Sequence, residues 1–130
     1  MSVVLVSVSC TRQPASALPS GLIELSEWGI ESIPDHLPAG EVRVDVHNDG
    51  ALRHELLIVL TQMSVDELPL EGELVDVTRI DGHLVTEFEE LLPKSHVMVT
   101  VTVEPGPHVL FCNIVGHYSA GMRGVLAGDG

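Results

Sequence analysis

Residues 96–112, "HVMVTVTVEPGPHVLFC", decide how this chain folds. Val97, Val99, Val101 and Val103 occupy every second position. A two-residue period places them on one face of an extended strand. "PGP" at 105–107 then turns the chain, and "HVLFC" forms a second strand that ends on Cys112. The same alternation recurs in "EVRVDVHN" (41–48), where Val42, Val44 and Val46 oppose Glu41, Arg43, Asp45 and His47. "NDG" at 48–50 marks a turn. "HELLIVL" (54–60) is a continuous apolar run after a histidine, as expected for a central strand. "LIELSEWGI" (22–30) reads as the first strand, "SIPDHLPAG" (32–40) as a loop and "GVLA" (124–127) as the last strand. Residues 64–92 hold many acids and irregularly spaced apolar residues, and read as an insertion with a short helix. β-Branched residues, alternation and turn spacing together predict an antiparallel all-β sandwich.

The chain has 130 residues, enough for one domain with a modest core, and its 45% hydrophobic content excludes a disordered chain. Its formal net charge of -13 argues against nucleic acid, which needs a basic patch, and against anionic lipid. A basic protein partner fits better, although acids also serve simply to keep a domain soluble.

The N-terminal "SVVLVSVSC" (2–10) is a short apolar run that ends in small residues and Cys10. It is similar to the end of a bacterial lipoprotein signal, although no Lys or Arg precedes it and Val8 interrupts the small-residue pattern. The alternative is an ordinary buried strand. "TRQPASALPSG" (11–21) reads as a tether. The expected organisation is therefore a segment and tether over 1–20 and a folded domain over 21–130. The expected location is extracytoplasmic, with a lipid anchor at Cys10. No run is long enough to span a bilayer as a helix.

Past the second strand, "FCNIVGHYSAGM" (111–122) places Cys112, His117 and Met122 at intervals of five. Thiolate and thioether are soft ligands and imidazole is borderline, a set that favours copper over magnesium or calcium. Zinc would accept the first two, but thioether is not among its usual ligands. His54 is the best fourth candidate, because it follows a turn and starts a core strand. Two His, one Cys and a weak axial Met are the ligands of a blue-copper electron-transfer site. Taken singly, each residue is more often core filler or surface. Three on one loop, beside Gly116 and Gly121, are hard to assign to chance, since a loop wrapping an ion needs backbone freedom.

"NDGALRHELLIV" and "PGPHVLFCNIVGHYSAGMRGVLA" together resemble the cupredoxins, the small blue copper proteins, and the ligand loop is most similar to that of sulfocyanin-type members. The resemblance spans residues 21–130 in pattern, with specificity confined to those two stretches. It implies a Greek-key β-sandwich holding one copper ion that cycles between Cu(I) and Cu(II). His54, Cys112 and His117 would lie in a plane around it, with Met122 axial. Two positions depart from the family. Glu55 stands where relatives commonly have an asparagine that ties the ligand loops together, a role left to Asn48 or Asn113. Val115 stands where relatives often have proline, which makes the loop less stiff.

Phe111 and Asn113 flank the cysteine, so the adjacent histidine of multicopper oxidases and copper nitrite reductases is missing. Gly116 stands where a dinuclear site would need a second cysteine. The resemblance thus implies a single-electron carrier rather than an enzyme. It would act as a monomer that meets a redox partner such as a basic c-type cytochrome or an oxidase. By analogy, the His117 edge is the electron port, with Leu52, Val115 and Tyr118 on its rim and Ile114, Val115 and Phe111 burying the ion. The acids of 64–92 would steer the partner. The rival reading is a carrier or chaperone of Cu(I). Such proteins favour exposed Met- or His-rich sites without the cysteine. The remaining histidines, His36, His47, His83, His96 and His108, read as surface or structural.

Overall fold

In the computed structural model, residues 17–130 are described; the expectations for Cys10 and most of the tether fall outside them. Among the described residues eleven strands run in chain order: β1 Ser20–Ser26, β2 Gly29–Ile33, β3 His36–Pro38, β4 Gly40–Asn48, β5 His54–Thr61, β6 Leu70–Glu71, β7 Leu74–Val75, β8 Gly82–Leu91, β9 Ser95–Val103, β10 Gly106–Phe111 and β11 Arg123–Asp129. One four-residue helix, α1, covers His117–Ala120. The strands form two facing sheets, ordered β2-β1-β4-β9 and β3-β11-β10-β5-β8, with β6-β7 as a separate small hairpin.

The valine alternation does what its period requires. Val42, Val44 and Val46 of β4 stand opposite Val101, Val99 and Val97 of β9. The β4 valines are buried in the core between the sheets, with the β9 valines packed against it. Ile23 and Leu25 of β1, Leu56 and Ile58 of β5, and Leu110, Cys112 and Met122 are among the residues that join that core.

β5 lies between β10 and β8 and is buried on both faces, which is why it reads as an unbroken apolar run. Its other face, with Leu57 and Val59, joins Val109 and Phe111 of β10 in a second core. Leu68, Val75, Ile80 and Tyr118 cover that core from outside.

Four expectations are corrected. "LIELSEWGI" is two strands, since β1 and β2 form a hairpin around Glu27 and Trp28. "SIPDHLPAG" contains β3, which pairs in parallel with β11. β1 and β4 also run parallel, so the sandwich is antiparallel except at these two pairs. Within 64–92, only 64–81 forms an insertion, built of two 3-10 turns and the β6-β7 hairpin. Residues 82–91 are β8, a long strand paired with β5. β8 is an edge strand, and its acids sit on the exposed side. Charged edges of this kind block further strand pairing and obscure the apolar alternation.

Candidate metal centre

The sheet register brings the two ligand stretches together. β5 and β10 pair antiparallel with Phe111 opposite Leu57, so the start of one strand meets the end of the other. His54 extends the inward row of Leu56 and Ile58, while Cys112 extends the row of Leu110. A register irregularity between His54 and Leu56 lies at this end of β5, a place where bulges commonly re-aim a side chain. The chain then bends through Gly116, at φ +79°, into α1 and leaves it through Gly121, at φ +123°. Both values suit glycine far better than a residue with a Cβ. The backbone closes the loop, with Cys112 N–H donating to Met122 O at 3.1 Å and Met122 N–H to His117 O at 3.0 Å.

Cys112 Sγ lies 3.5 Å from His117 Nδ1 and 3.9 Å from His54 Nδ1, and the two Nδ1 atoms are 3.2 Å apart. These three residues form the group of potential metal donors that stands out among the described residues. His54, Cys112 and Met122 are buried, while His117 is half-buried. Met122 belongs to the same core cluster as Cys112. The structure thus assembles His54, Cys112 and His117 and places Met122 at the base of their loop.

Burial pushes the Cys112 thiol above its ordinary value, opposed by N–H groups of Glu55 and Ile114 that favour the thiolate. The Glu55 N–H lies 3.3 Å from Sγ. Burial holds His117 below its ordinary value, and His54 adds to the shift. Two imidazole nitrogens and a sulfur that converge at one end of the core suit a soft or borderline cation.

The loop-tying role that the sequence leaves to Asn48 or Asn113 is shared by the two. Asn48 accepts from Gly50 N–H and donates to Leu52 O and Leu91 O, all at 2.9 Å. Asn113 exchanges hydrogen bonds with the backbone of Val75, and Gly116 N–H donates to Glu73 O, so the β6-β7 hairpin is fastened to the ligand loop.

Two residues of the site escaped the sequence reading. The Glu27 carboxylate accepts from Leu52 N–H at 2.8 Å, Ala51 N–H at 3.0 Å and His54 Nε2–H at 2.8 Å. These donors, Leu52 first, lower its carboxyl to about 2. Trp28 sets its ring edge-on to His117, with centroids 4.9 Å apart. A signal existed: period two from Ile23 and Leu25 carries Glu27 toward the core face, where an unsupported charge does not belong.

The expected rim is corrected as well. Tyr118 is only 4% exposed; its hydroxyl donates to Val65 O and accepts from Leu68 N–H beneath the insertion. Val115 is 61% exposed rather than buried over the donors. Leu52 and Trp28, at 44% and 47%, are exposed with it. The other histidines take the structural or surface places expected, such as His36 beside Asp129, His83 beside Glu104, and His108 buried with Nδ1 against Gly106 O.

No protein-family model matches the chain, and no curated protein matches it. Solved structures do. Na-dithionite reduced auracyanin from the photosynthetic bacterium Roseiflexus castenholzii is similar at 23% identity over 86% of this chain and 99% of that one, with a TM-score of 0.57. Auracyanin A from Chloroflexus aurantiacus, a "blue" copper protein, is similar at 21% identity over 85% of this chain and 99% of that one, with a TM-score of 0.54. Part of the McoA multicopper oxidase from Aquifex aeolicus is similar at 16% identity over 92% of this chain but 31% of that one, with a TM-score of 0.56. The chain therefore has the cupredoxin fold, with a His-Cys-His group at one end of its sandwich.

Proposed function

We propose that this protein is a mononuclear type 1 copper protein that carries single electrons between redox partners. The observation that supports this most directly is the convergence of Cys112 Sγ with the Nδ1 atoms of His54 and His117 within hydrogen-bonding distance of one another. His54, Cys112 and His117 would hold the ion, with Met122 as the weak fourth ligand, as in the sulfocyanin-like reading of the loop. A bound copper ion supplies a one-electron couple between Cu(II) and Cu(I). The chain supplies the rest. Buried His54, Cys112 and Met122 keep water from the donors, and half-buried His117 offers the path to the surface. Trp28, Leu52 and Val115 give that path an apolar rim against which a partner can dock. The net charge of -13 favours a basic partner, such as a c-type cytochrome. An extracytoplasmic location, tethered through Cys10, belongs to the same proposal.

Burial of the cysteine favours an electron carrier over a Cu(I) chaperone, whose cargo must pass between exposed ligands. It also favours a carrier over an enzyme, because the donors lie beneath the rim rather than in an open cleft. The test is a visible absorption titration with Cu(II). An intense thiolate-to-copper band that saturates at one equivalent and disappears in Cys112→Ser supports the proposal. A colourless protein that binds Cu(I) tightly supports the chaperone, and a protein that binds neither state refutes both.

A further inference from the structure

The β1-β2 turn reaches both histidines of the site, although it is remote from them in sequence. Trp28 meets His117 edge-on, and Glu27 accepts the Nε2 proton of His54 at 2.8 Å. A carboxylate only accepts, so this contact places the His54 proton on Nε2 and leaves the Nδ1 lone pair facing Cys112 and His117. The cradle is built for the charge. Backbone N–H groups of Ala51 and Leu52 hold the other lone pairs of Glu27. A Cβ added at Gly50 would land on both carboxylate oxygens, so the glycine leaves the space they occupy. Asn48 in turn holds the backbone of Gly50 and Leu52. The His54 ring is buried, and the Glu27 side chain is only 24% exposed, so solvent screens the pair incompletely.

We propose that Glu27 is a positioning residue for His54 that also sets the redox balance of the site: it selects the Nε2–H tautomer, and its negative charge favours the more positive oxidation state of the bound metal. This rests on the copper reading above. A neutral acceptor would select the same tautomer without adding charge. A carboxylate beyond the imidazole makes the ring a stronger donor and attracts Cu(II) more than Cu(I). If Glu27 only tied down residues 51 and 52, neutralising it would leave the potential unchanged.

The test uses the full chain and two arms. In the copper-loaded protein, the reduction potential is measured for wild type, Glu27→Gln and Gly50→Ala. The amide removes the charge while keeping the length; the alanine displaces the carboxylate while keeping the charge. Both variants are expected to retain the absorption band and to show a higher potential. The expected size is an about tenfold fall in the Cu(II)-to-Cu(I) affinity ratio, or ~59 mV for a one-electron couple. In the metal-free protein, nitrogen NMR of His54 is expected to show Nε2–H in wild type and a growing share of Nδ1–H in Glu27→Leu. A copper-loaded Glu27→Gln with wild-type potential overturns the inference, and so does a metal-free wild type protonated on Nδ1. If Glu27→Gln does not fold, Gly50→Ala decides the redox arm by the same criterion. If wild type takes up no copper, the copper reading fails, and the tautomer measurement decides the positioning role by itself.

Discussion

Replacing Asn48 by alanine should destabilise the metal-free protein more than any surface change. The side chain is fully buried and makes three hydrogen bonds, joining the β4-β5 turn to the end of β8. Truncation strands Gly50 N–H and Leu91 O, both on buried residues, whereas exposed Leu52 can turn its carbonyl to water. A stranded buried group costs about 1–3 kcal/mol. Two of them, offset by no longer burying the amide, give a loss of about 3 kcal/mol. For a domain of this size that corresponds to a fall in Tm of about 12 °C. Asn48→Asp sharpens the test. The acid keeps an acceptor for Gly50 but aims its second oxygen at two carbonyls that now receive a donor. At neutral pH it should be at least as damaging as alanine, and acidification should recover part of the loss, because the protonated acid donates to one carbonyl. The assay is urea unfolding of metal-free wild type and both variants, free of the stabilisation that a bound ion adds. An alanine loss below about 1 kcal/mol, or an aspartate variant as stable as wild type at pH 7, would refute the argument that this network anchors the His54 turn.

Three further outcomes are expected. Burial holds His108 and His117 below the ordinary histidine value of 6.5. The unfolded chain therefore takes up these protons first, so metal-free stability is full above about pH 6.5 and falls as the pH drops below it. Cys112, raised above 9.0 by burial, acts with the opposite sign: its contribution is full below that value and is lost as the pH rises through the folded-state pKa. Urea midpoints that stay flat from pH 7.5 to 5.5, or an alkaline decline that survives in Cys112→Ser, would contradict these assignments. Tyr118→Phe removes a donor to Val65 O and an acceptor for Leu68 N–H, and should cost about 1–3 kcal/mol in thermal unfolding. It should leave electron-transfer rates unchanged; a slower rate with stability intact would return Tyr118 to the rim. With a net charge of -13, electron exchange with a small cationic redox complex should slow as ionic strength rises from about 0.01 to 0.15 M, while an anionic complex should speed up. Stopped-flow rates independent of salt for both would reduce the acids to a solvated surface.

Much of the architecture is legible in local pattern, because pattern is local physics. Alternating valines at 42–46 and 97–103 can bury one face only as strands, and they do. The two-sided apolar run of β5 announces a central strand. Cys112 and His117 are legible as part of the His-Cys-His group because their chemistry and the flanking glycines sit on one short loop. What local pattern hides is any element whose polarity answers to a neighbour. β8 carries acids because it is an edge, and β3 is three residues long and exists only because β11 lies beside it. Tyr118 looks like a rim residue until the insertion closes over it.

Local pattern was enough for the β-sandwich class, for the pairing of Cys112 with His117 and for the choice of His54 as their distant partner. Each follows from periodicity or ligand chemistry within a few neighbouring residues. That Glu27 and Trp28 belong to the site follows from tertiary contacts alone. They lie in a turn 27 and 89 residues from the histidines they touch, and no local rule couples such positions. The parallel pairing of β1 with β4 carries that turn to the end of the sandwich where β5 begins and β10 ends. There a charge that the core would otherwise reject finds two backbone N–H groups and an imidazole to hold it.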